Sequence, residues 1–423
     1  MPRLLLFAAT TGYQIRVFAE AARRLGVDLT LATDRCHVLE DPWGDRAVPV
    51  RFGNVPGALA ACLDAIGDRR FDAVAAVGDA PAVLAADVAG AFDIPFHPPA
   101  AVRACHDKYL ARQLFQAAGL RVPQFFRVAL TENPDAIARR APYPCVLKPL
   151  GLSASRGVIR ANHPDEFRTA FARIKALLER TPDIRMAGEN QSHYVQVEAY
   201  IPGREFAVEG ILTRGAPRIL AIFDKPDALE GPFFEETIYV TPSRESAAAQ
   251  RGMRETVERA VRALGLYHGP FHAELRLNES GVWMLEMAAR PIGGLCSKAL
   301  RFGTGIPLEE LVLRHAIGED VAALRPADAA SGVMMIPIPR GGVYEDAAGL
   351  DAARAVEGVD DVVITAKAGQ MLAPLPEGAS YLGFIFARGG DPAAVERTLR
   401  LAHAKLSFRI ARALHTLEPA PFT

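Results

Sequence analysis

Apolar runs and helical stretches alternate along the first hundred residues. Leu4–Ala9 is continuously apolar and predicts a buried strand. Ile15–Leu25 repeats its apolar positions at helical spacing and is followed by Gly26, a stop signal. Val27–Ala32 and Ala73–Val77 predict two further strands, and Pro81–Phe92 a helix after the latter. Strands alternating with helices imply a parallel, doubly wound sheet. The turn after the first strand, Thr10-Thr11-Gly12-Tyr13, lacks the G-x-G-x-x-G spacing, so a dinucleotide site has no support.

Asp107 to Ala118 reads as a helix capped by Gly119, after which Val122-Pro123 restarts an extended chain. From Tyr143 the texture turns to β. Cys145–Leu147 and Val158–Ala161 flank a Gly/Ser loop, and Pro164 to Arg180 is helical, with Asp165 and Glu166 in its first turn. Tyr194–Tyr200 and Glu205–Leu212 are strands around a Pro202-Gly203 turn. Arg218–Phe223 and Thr237–Val240 are strands, and Ser246–Gly265 is a helix. Beyond about residue 325, Pro and Gly recur among short strands and a last helix, Pro392–Leu406, which predicts a separate α+β appendage.

Composition narrows the class. A chain of 423 residues exceeds one ordinary core, so two to four domains are expected. Its 48 basic residues against 49 acidic leave no one-sided basic footprint, which argues against nucleic acid. Cys36, Cys62, Cys105, Cys145 and Cys296 are odd in number, scattered and free of C-x-x-C. They suit a reducing cytoplasm rather than a disulfide framework or zinc knuckle. The Leu4–Phe7 run is too short for a signal peptide, and Phe71–Phe96 is broken by Asp79, Asp87 and Asp93, so no membrane span is expected.

The segment Phe271–Leu277, a turn from Asn278 to Gly281, and Val282–Met287 read as a hairpin. On its first strand Phe271, Ala273, Leu275 and Leu277 face one way, and His272, Glu274 and Arg276 the other. A three-residue loop Glu279-Ser280-Gly281 with Gly281 in a bulge position would set Glu274 opposite Glu286, Arg276 opposite Met284, and His272 opposite Ala288. Carboxylates directly opposite on one face repel. A hard divalent cation between them removes that penalty, with substrate phosphates completing its shell. Arg290, on the same side, could take a phosphate or acyl-phosphate oxygen bidentately. An exposed hairpin face with ordinary charges is the rival reading, although such a face would more often pair Glu with Lys or Arg.

A second signal is Tyr143–Pro149, a strand ending in Lys148-Pro149, followed by the loop Gly151–Gly157. Gly/Ser loops between strands expose backbone N–H groups that cradle anions, and Lys148 adds a point charge. Gly-Lys-Ser/Thr is absent, so this is not a Walker A loop. By itself the loop is equally a flexible hairpin turn, and Lys108 a helix-surface lysine.

Taken in order, these pieces resemble the ATP-grasp superfamily over roughly residues 1 to 320. Asp107-Lys108 with Ala118–Pro123 looks like the entry to the nucleotide fold, Tyr143–Gly157 like the mobile lid, and Val195–Glu205 like the nucleoside hinge. The hairpin with Glu286-Met287-Ala288-Ala289-Arg290 looks like the metal segment. The resemblance implies an α/β and α+β multidomain protein. Residues 1–106 would form a doubly wound parallel-sheet domain, 107–325 the ATP-grasp domain with a β-rich lid at about 123–198, and 326–423 the C-terminal α+β domain. It implies that Lys108 and Lys148 bind ATP phosphates and that the loop with Ser153, Ser155 and Gly157 closes over them. Glu198, Tyr200 and Ile201 would hold adenine, and Glu205 the ribose. Glu274 and Glu286 would bind magnesium, with manganese able to substitute, and Arg290 with Lys148 would act on the reacting groups. Ala288 stands where the superfamily often has an Asn ligand, which puts the number of metal ions in doubt.

Within the superfamily, Gly269–Glu274, Ala289–Ser297, Phe223–Pro226 and Gly231–Thr237 resemble the L-amino acid ligases. That likeness places His272, Arg290, Gly293, Gly294 and Glu236 at the substrates. It implies joining a small-molecule carboxylate to an amine, both expected to be amino acids, through an acyl phosphate. A cytoplasmic enzyme, with a homodimer as the default assembly, completes the expectation. One rival is a biotin-carboxylase-like reaction on bicarbonate. Another is a nucleotide-binding protein without turnover, which the presence of Glu274, Glu286 and Arg290 disfavours.

Overall fold

A computed structural model describes residues 1–9, 14–34, 47–52, 55–180 and 192–412. The Thr10–Tyr13 turn and Cys36 lie outside these residues. The strands Arg3–Ala8, Asp28–Thr33, Ala47–Pro49 and Ala73–Val77 pair in parallel, in the spatial order third, second, first, fourth. Alternate side chains of the first strand feed opposite cores. Leu5 and Phe7 pack with the helices Val55–Ile66 and Asp79–Ala91, and Leu4 and Leu6 with the helix Ile15–Leu25. A sheet buried on both faces needs such unbroken apolar runs. Gly26 ends the helix in the left-handed region at φ 64°, as expected of a stop signal.

Three elements here carried too little signal. Val55–Ile66 is apolar nearly all round, Ala47–Pro49 is only three residues long, and Pro99–His106 begins on the second of two consecutive prolines. Among the described residues no helix is long and apolar enough to cross a membrane.

The centre of the molecule is an eight-stranded sheet. Its spatial order is Gly281–Ala288, Gly269–Asn278, Arg204–Thr213, Ala216–Lys225, Ile238–Thr241, Ala330–Ile336, Gly383–Gly389 and Val359–Ile364. The C-terminal α+β unit contributes strands to this sheet. Its strand Ala330–Ile336 pairs antiparallel with Ile238–Thr241, which would otherwise be an open sheet edge. On one face of the sheet Phe271, Ala273 and Leu275 pack with Met253, Val257 and Val261 of the helix Ala247–Leu264. Gly210 is required on the strand beside Phe271, because a Cβ there would lie 2.1 to 2.8 Å from three atoms of that ring.

The hairpin register differs from expectation in two places that cancel. The turn has two residues, since Asn278 pairs with Gly281, so Arg276 faces Trp283 instead of Met284. A bulge then falls between Glu274 and Leu275 on one strand, with Leu285 as the extra residue on the other. It restores the pairs Glu274 with Glu286 and His272 with Ala288.

The strands Phe125–Ala129, Tyr194–Ala199, Cys145–Pro149 and Ile159–Ala161 form a separate antiparallel sheet in that order. The helix Pro164–Arg180 packs on it through Phe167, Phe171 and Ile174. One buried side chain ties this sheet to the central one. Arg112, on the helix Lys108–Ala117, donates from Nη1 to the Met284 carbonyl at 2.6 Å and from Nη2 to Glu198 Oε2 at 2.9 Å. Glu198 also accepts from Gln196 Nε2 at 2.8 Å and pairs with Lys148. Burial pushes the Glu198 carboxyl up, but Arg112 and Lys148 override it and hold its pKa at about 2.

Arg112→Met should cost about 3–5 kcal/mol near neutral pH, because it leaves a buried carboxylate short of a partner; denaturant unfolding would measure this. The Glu198 pKa is depressed from 4.5, so its stabilisation is present above pH 4.5 and lost as pH falls through about 2. The deficit of the variant should shrink across that interval, and a pH-independent deficit would assign the loss to packing. Gly210→Ala should lower the melting temperature, at a cost of about 1–3 kcal/mol, by driving the Phe271 ring from its place.

Candidate active site

The charged face of the central sheet, the four-stranded sheet and the carboxyl end of the N-terminal sheet enclose a cavity of about 350 Å³. Lys108, Lys148, Ser153, Ser155, Glu198, Tyr200, Ile201, Glu205, Glu236, His272, Glu274, Glu286, Arg290, Gly293 and Gly294 all line it. Gly157 does not. Its N–H donates to the Pro376 carbonyl at 2.8 Å and is not presented to the cavity. Glycine is needed there for the turn itself: φ is +72° and a Cβ would sit 2.6 Å from Pro149 Cγ.

At one end Lys108 opens its helix, whose first N–H groups are capped by Asp107 Oδ1 at 2.9 and 3.0 Å. Its Nζ donates to the Leu152 carbonyl at 2.6 Å and lies 3.5 Å from Glu286 Oε1. The loop is bent through Ala154 and Ser155, both left-handed at φ 54°. Non-glycine residues seldom adopt that conformation, so the loop has a defined shape rather than that of an open turn.

The apolar end is lined by Val146, Val158, Tyr200, Ile201, Phe234 and Leu285. Arg276 closes it from behind. Its guanidinium lies over the Tyr200 ring at 5.1 Å and the Phe234 ring at 5.7 Å, and donates to the Ile201 carbonyl at 2.6 Å. Glu205 accepts from Lys225 Nζ at 2.8 Å and from Arg276 Nε at 2.9 Å. Glu198 and Glu205, expected as acceptors for the nucleoside, therefore each hold two buried cations, with lone pairs to spare.

Two carboxylate arrangements could hold a cation, and they differ. Glu205, Glu236 and Glu274 bring ligand atoms within 4.8 Å of one another. Lys225 Nζ already sits among them, bonded to Glu205 and Glu236 and 3.6 Å from Glu274. Burial favours the neutral amine, but the three carboxylates raise the Lys225 pKa well above its ordinary value. This cluster is already occupied by an ammonium of the protein's own.

The pair Glu274 and Glu286 is different. The nearest cationic atoms are Lys225 Nζ and His272 Nε2, both 3.6 Å from Glu274, and Lys108 Nζ, 3.5 Å from Glu286. Contacts of that length leave carboxylate lone pairs facing the cavity, the donor set that suits magnesium. The Ala288 methyl beside them offers no third ligand.

Arg290 donates from Nε and Nη2 to the two oxygens of Asp79 at 2.8 and 3.2 Å, and from Nη1 to the Pro291 carbonyl at 3.1 Å. Burial pushes the Asp79 carboxyl up, but Arg290 wins and holds it well below the usual range. Donors remain on Nη1 and Nη2 for an incoming oxygen. His272 Nδ1 is 2.6 Å from Glu209 Oε1. Burial alone would lower its pKa, and would push Glu209 towards the neutral acid. The imidazolium prevails at about 9, because His272 faces Glu274 as well as Glu209. Glu236 accepts from the Tyr239 hydroxyl at 2.8 Å. Gly293 has open space where a Cβ would be, whereas Gly294, at φ 62°, would press one to 3.2 Å from the Phe384 ring.

Sequence reasoning missed Asp79, Arg112, Glu209, Lys225 and Arg276 as members of this site. Glu205 and Glu209 lie four apart on one strand and so share a face, a signal that was available. Asp79 follows the carboxyl end of a parallel strand, a habitual ligand position in such sheets. Arg112, between Ala111 and Gln113 on its helix, had no such mark.

Residues 141–299 match an ATP-grasp domain, and residues 334–411 match L-amino acid ligase C-terminal domain 2. The crystal structure of an L-amino acid ligase from Bacillus licheniformis superposes with a TM-score of 0.83 and 26% identity, covering 97% of this chain and 99% of that one. An uncharacterized protein y4rH of Sinorhizobium fredii is 24% identical over 332 residues, which are 76% of this chain and 64% of its own length. The alanine–anticapsin ligase of Bacillus subtilis is 28% identical over 223 residues, 49% of this chain and 46% of its own. The chain thus spans about half to two thirds of the length of these curated relatives. Residues 141–299 are thus an ATP-grasp domain and residues 334–411 an L-amino acid ligase C-terminal domain 2, on a fold shared with a solved L-amino acid ligase.

Proposed function

We propose that this chain is an ATP-dependent ligase that joins the carboxylate of one amino acid to the amine of another through an acyl phosphate. The observation that carries the reading is the pair Glu274 and Glu286. They stand directly opposite on the cavity face with unspent oxygens, and Lys108, Lys148 and Arg290 line the same cavity. The match of residues 334–411 favours amide formation over a bicarbonate reaction. The name of the alanine–anticapsin ligase supports amino acids as substrates.

A substrate carboxylate oxygen attacks the γ-phosphorus of ATP, the bond to the β-phosphate oxygen breaks, and ADP leaves. The amine then attacks the acyl carbon and phosphate departs. Glu274 and Glu286 would hold magnesium, which supplies charge neutralisation to the transferring phosphoryl group. Lys108 and Lys148 place positive charge at the phosphates, and Arg290, oriented by Asp79, directs its spare donors at the reacting oxygens. Val146, Val158, Tyr200 and Leu285 offer apolar surfaces for a purine. The three-part division at about residues 106 and 325 belongs to the same reading.

The test is phosphate release with ATP, magnesium and pairs of amino acids, with mass spectrometry of the condensed product. Glu286→Ala should lower ADP formation by about 100-fold or more while the circular dichroism of the folded chain is unchanged. Near-normal turnover by that variant, or bicarbonate-dependent ADP formation without any amino acid, would overturn the assignment.

A further inference from the structure

The sheet that covers the cavity is gripped from outside by the C-terminal unit. Across this gap the Gly157 N–H donates to the Pro376 carbonyl at 2.8 Å, and Arg156 Nε donates to the Glu377 carbonyl at 2.8 Å. On the helix behind the loop, Arg173 holds the Glu377 carboxylate with two parallel bonds, from Nε at 2.5 Å and from Nη2 at 2.8 Å. The gripping loop is itself tightly built. Gly378 N–H bonds the Pro374 carbonyl at 2.9 Å, and a Cβ on Gly378 would lie 1.8 Å from the Ala373 carbonyl oxygen. A second grip comes from the central part of the chain, where Arg160 N–H bonds the Pro232 carbonyl at 2.9 Å and the Arg173 guanidinium lies 5.0 Å from the Phe233 ring centre.

We propose that Glu377 is a positioning residue: a latch on the C-terminal unit that holds the Leu152–Gly157 loop closed over the cavity. The role in ligation rests on the ligase reading above. Glu377 does not line the cavity and touches no reacting group. The side chains of Arg173 and Glu377 are each 42% exposed. A half-exposed pair adds little to global stability, since both partners regain water when it opens. A bond that crosses between two bodies instead biases their closed arrangement against the open one. These hydrogen bonds to residues 376–377 come from the loop and the helix behind it. Lifting the four-stranded sheet would break them together.

Closure matters because an acyl phosphate has two possible acceptors. With the loop shut, the amine forms the new bond to the acyl carbon. With it open, a water oxygen forms that bond instead. The bond from the acyl carbon to the bridging oxygen breaks and phosphate leaves with that oxygen. One water proton ends on phosphate, the other is released, and the carboxylate is regenerated. ATP is then consumed without product.

The experiment uses the full chain. Amide and ADP are measured together for wild type and Glu377→Ala, and hydrogen exchange is followed at residues 152–158 without substrate. The latch predicts that amide formed per ADP falls by about fivefold in the variant, the bias an exposed bidentate pair supplies. It also predicts that exchange across 152–158 speeds up by a similar factor while the central-sheet strands keep their protection. Arg173→Glu should reproduce both effects, and the double exchange Arg173→Glu with Glu377→Arg should restore them. Unchanged coupling and unchanged exchange in Glu377→Ala would overturn the proposal, as would a parallel loss of amide and ADP at constant ratio. If wild type makes no amide from any amino acid pair, the ligase reading fails, and the exchange measurement still decides the latch.

Discussion

Two carboxylates held directly across from each other on one sheet face repel unless positive charge meets them. Glu274 and Glu286 are so placed, and the neighbouring strands are organised around that repulsion. In the row on one side, Arg276, Glu205 and Lys225 alternate in sign across three strands. In the row on the other, His272 meets Glu209. Lys225 and Arg276 bond Glu205 and His272 bonds one oxygen of Glu209, whereas the cations nearest Glu274 and Glu286 stand 3.6 and 3.5 Å away. That looser coordination distinguishes the Glu274 and Glu286 pair from Glu205 and Glu236, which Lys225 bonds directly.

Buried ion pairs also join the pieces of the molecule. Asp79, which opens the helix after the strand Ala73–Val77, holds Arg290 at the end of the hairpin, and Arg112 joins the hairpin backbone to Glu198 of the four-stranded sheet. Removing one partner of such a pair is costly, while the intact pair adds modest stability. What the pairs supply is orientation. Arg290 is aimed by a bidentate fork, and Lys148 is drawn to the cavity by the same carboxylate that Arg112 fixes. The surface pair Arg173 and Glu377 follows a different logic: exposed, reversible and placed between bodies that can part.

The period of two along Gly269–Asn278 settled in advance which residues would face the cavity, because successive strand side chains point to opposite faces whatever surrounds them. Two strands of the parallel N-terminal sheet were legible for a similar reason, since Leu4–Ala8 and Ala73–Val77 are apolar without interruption. So were the ends of helices such as Ala247–Leu264, where Ser246 caps one end and Gly265 turns left-handed at the other. The motifs from Lys108 to Arg290 were grouped by their resemblance to the ATP-grasp superfamily, and residues of each line one cavity.

What the chain order could not supply was the partners. Asp79 and Arg290 are 211 positions apart, and Arg112 reaches a carbonyl 172 positions away. Nothing local marks such meetings, because they depend on how separate sheets dock. The bulge at Leu285 and the two-residue turn are likewise products of packing, two departures that cancel to keep Glu274 against Glu286. Gly157 looked like part of a phosphate cradle, and only the docked C-terminal unit takes its N–H. Local periodicity determines which way a side chain points; the tertiary structure decides what it meets, because that depends on distances no spacing along the chain records.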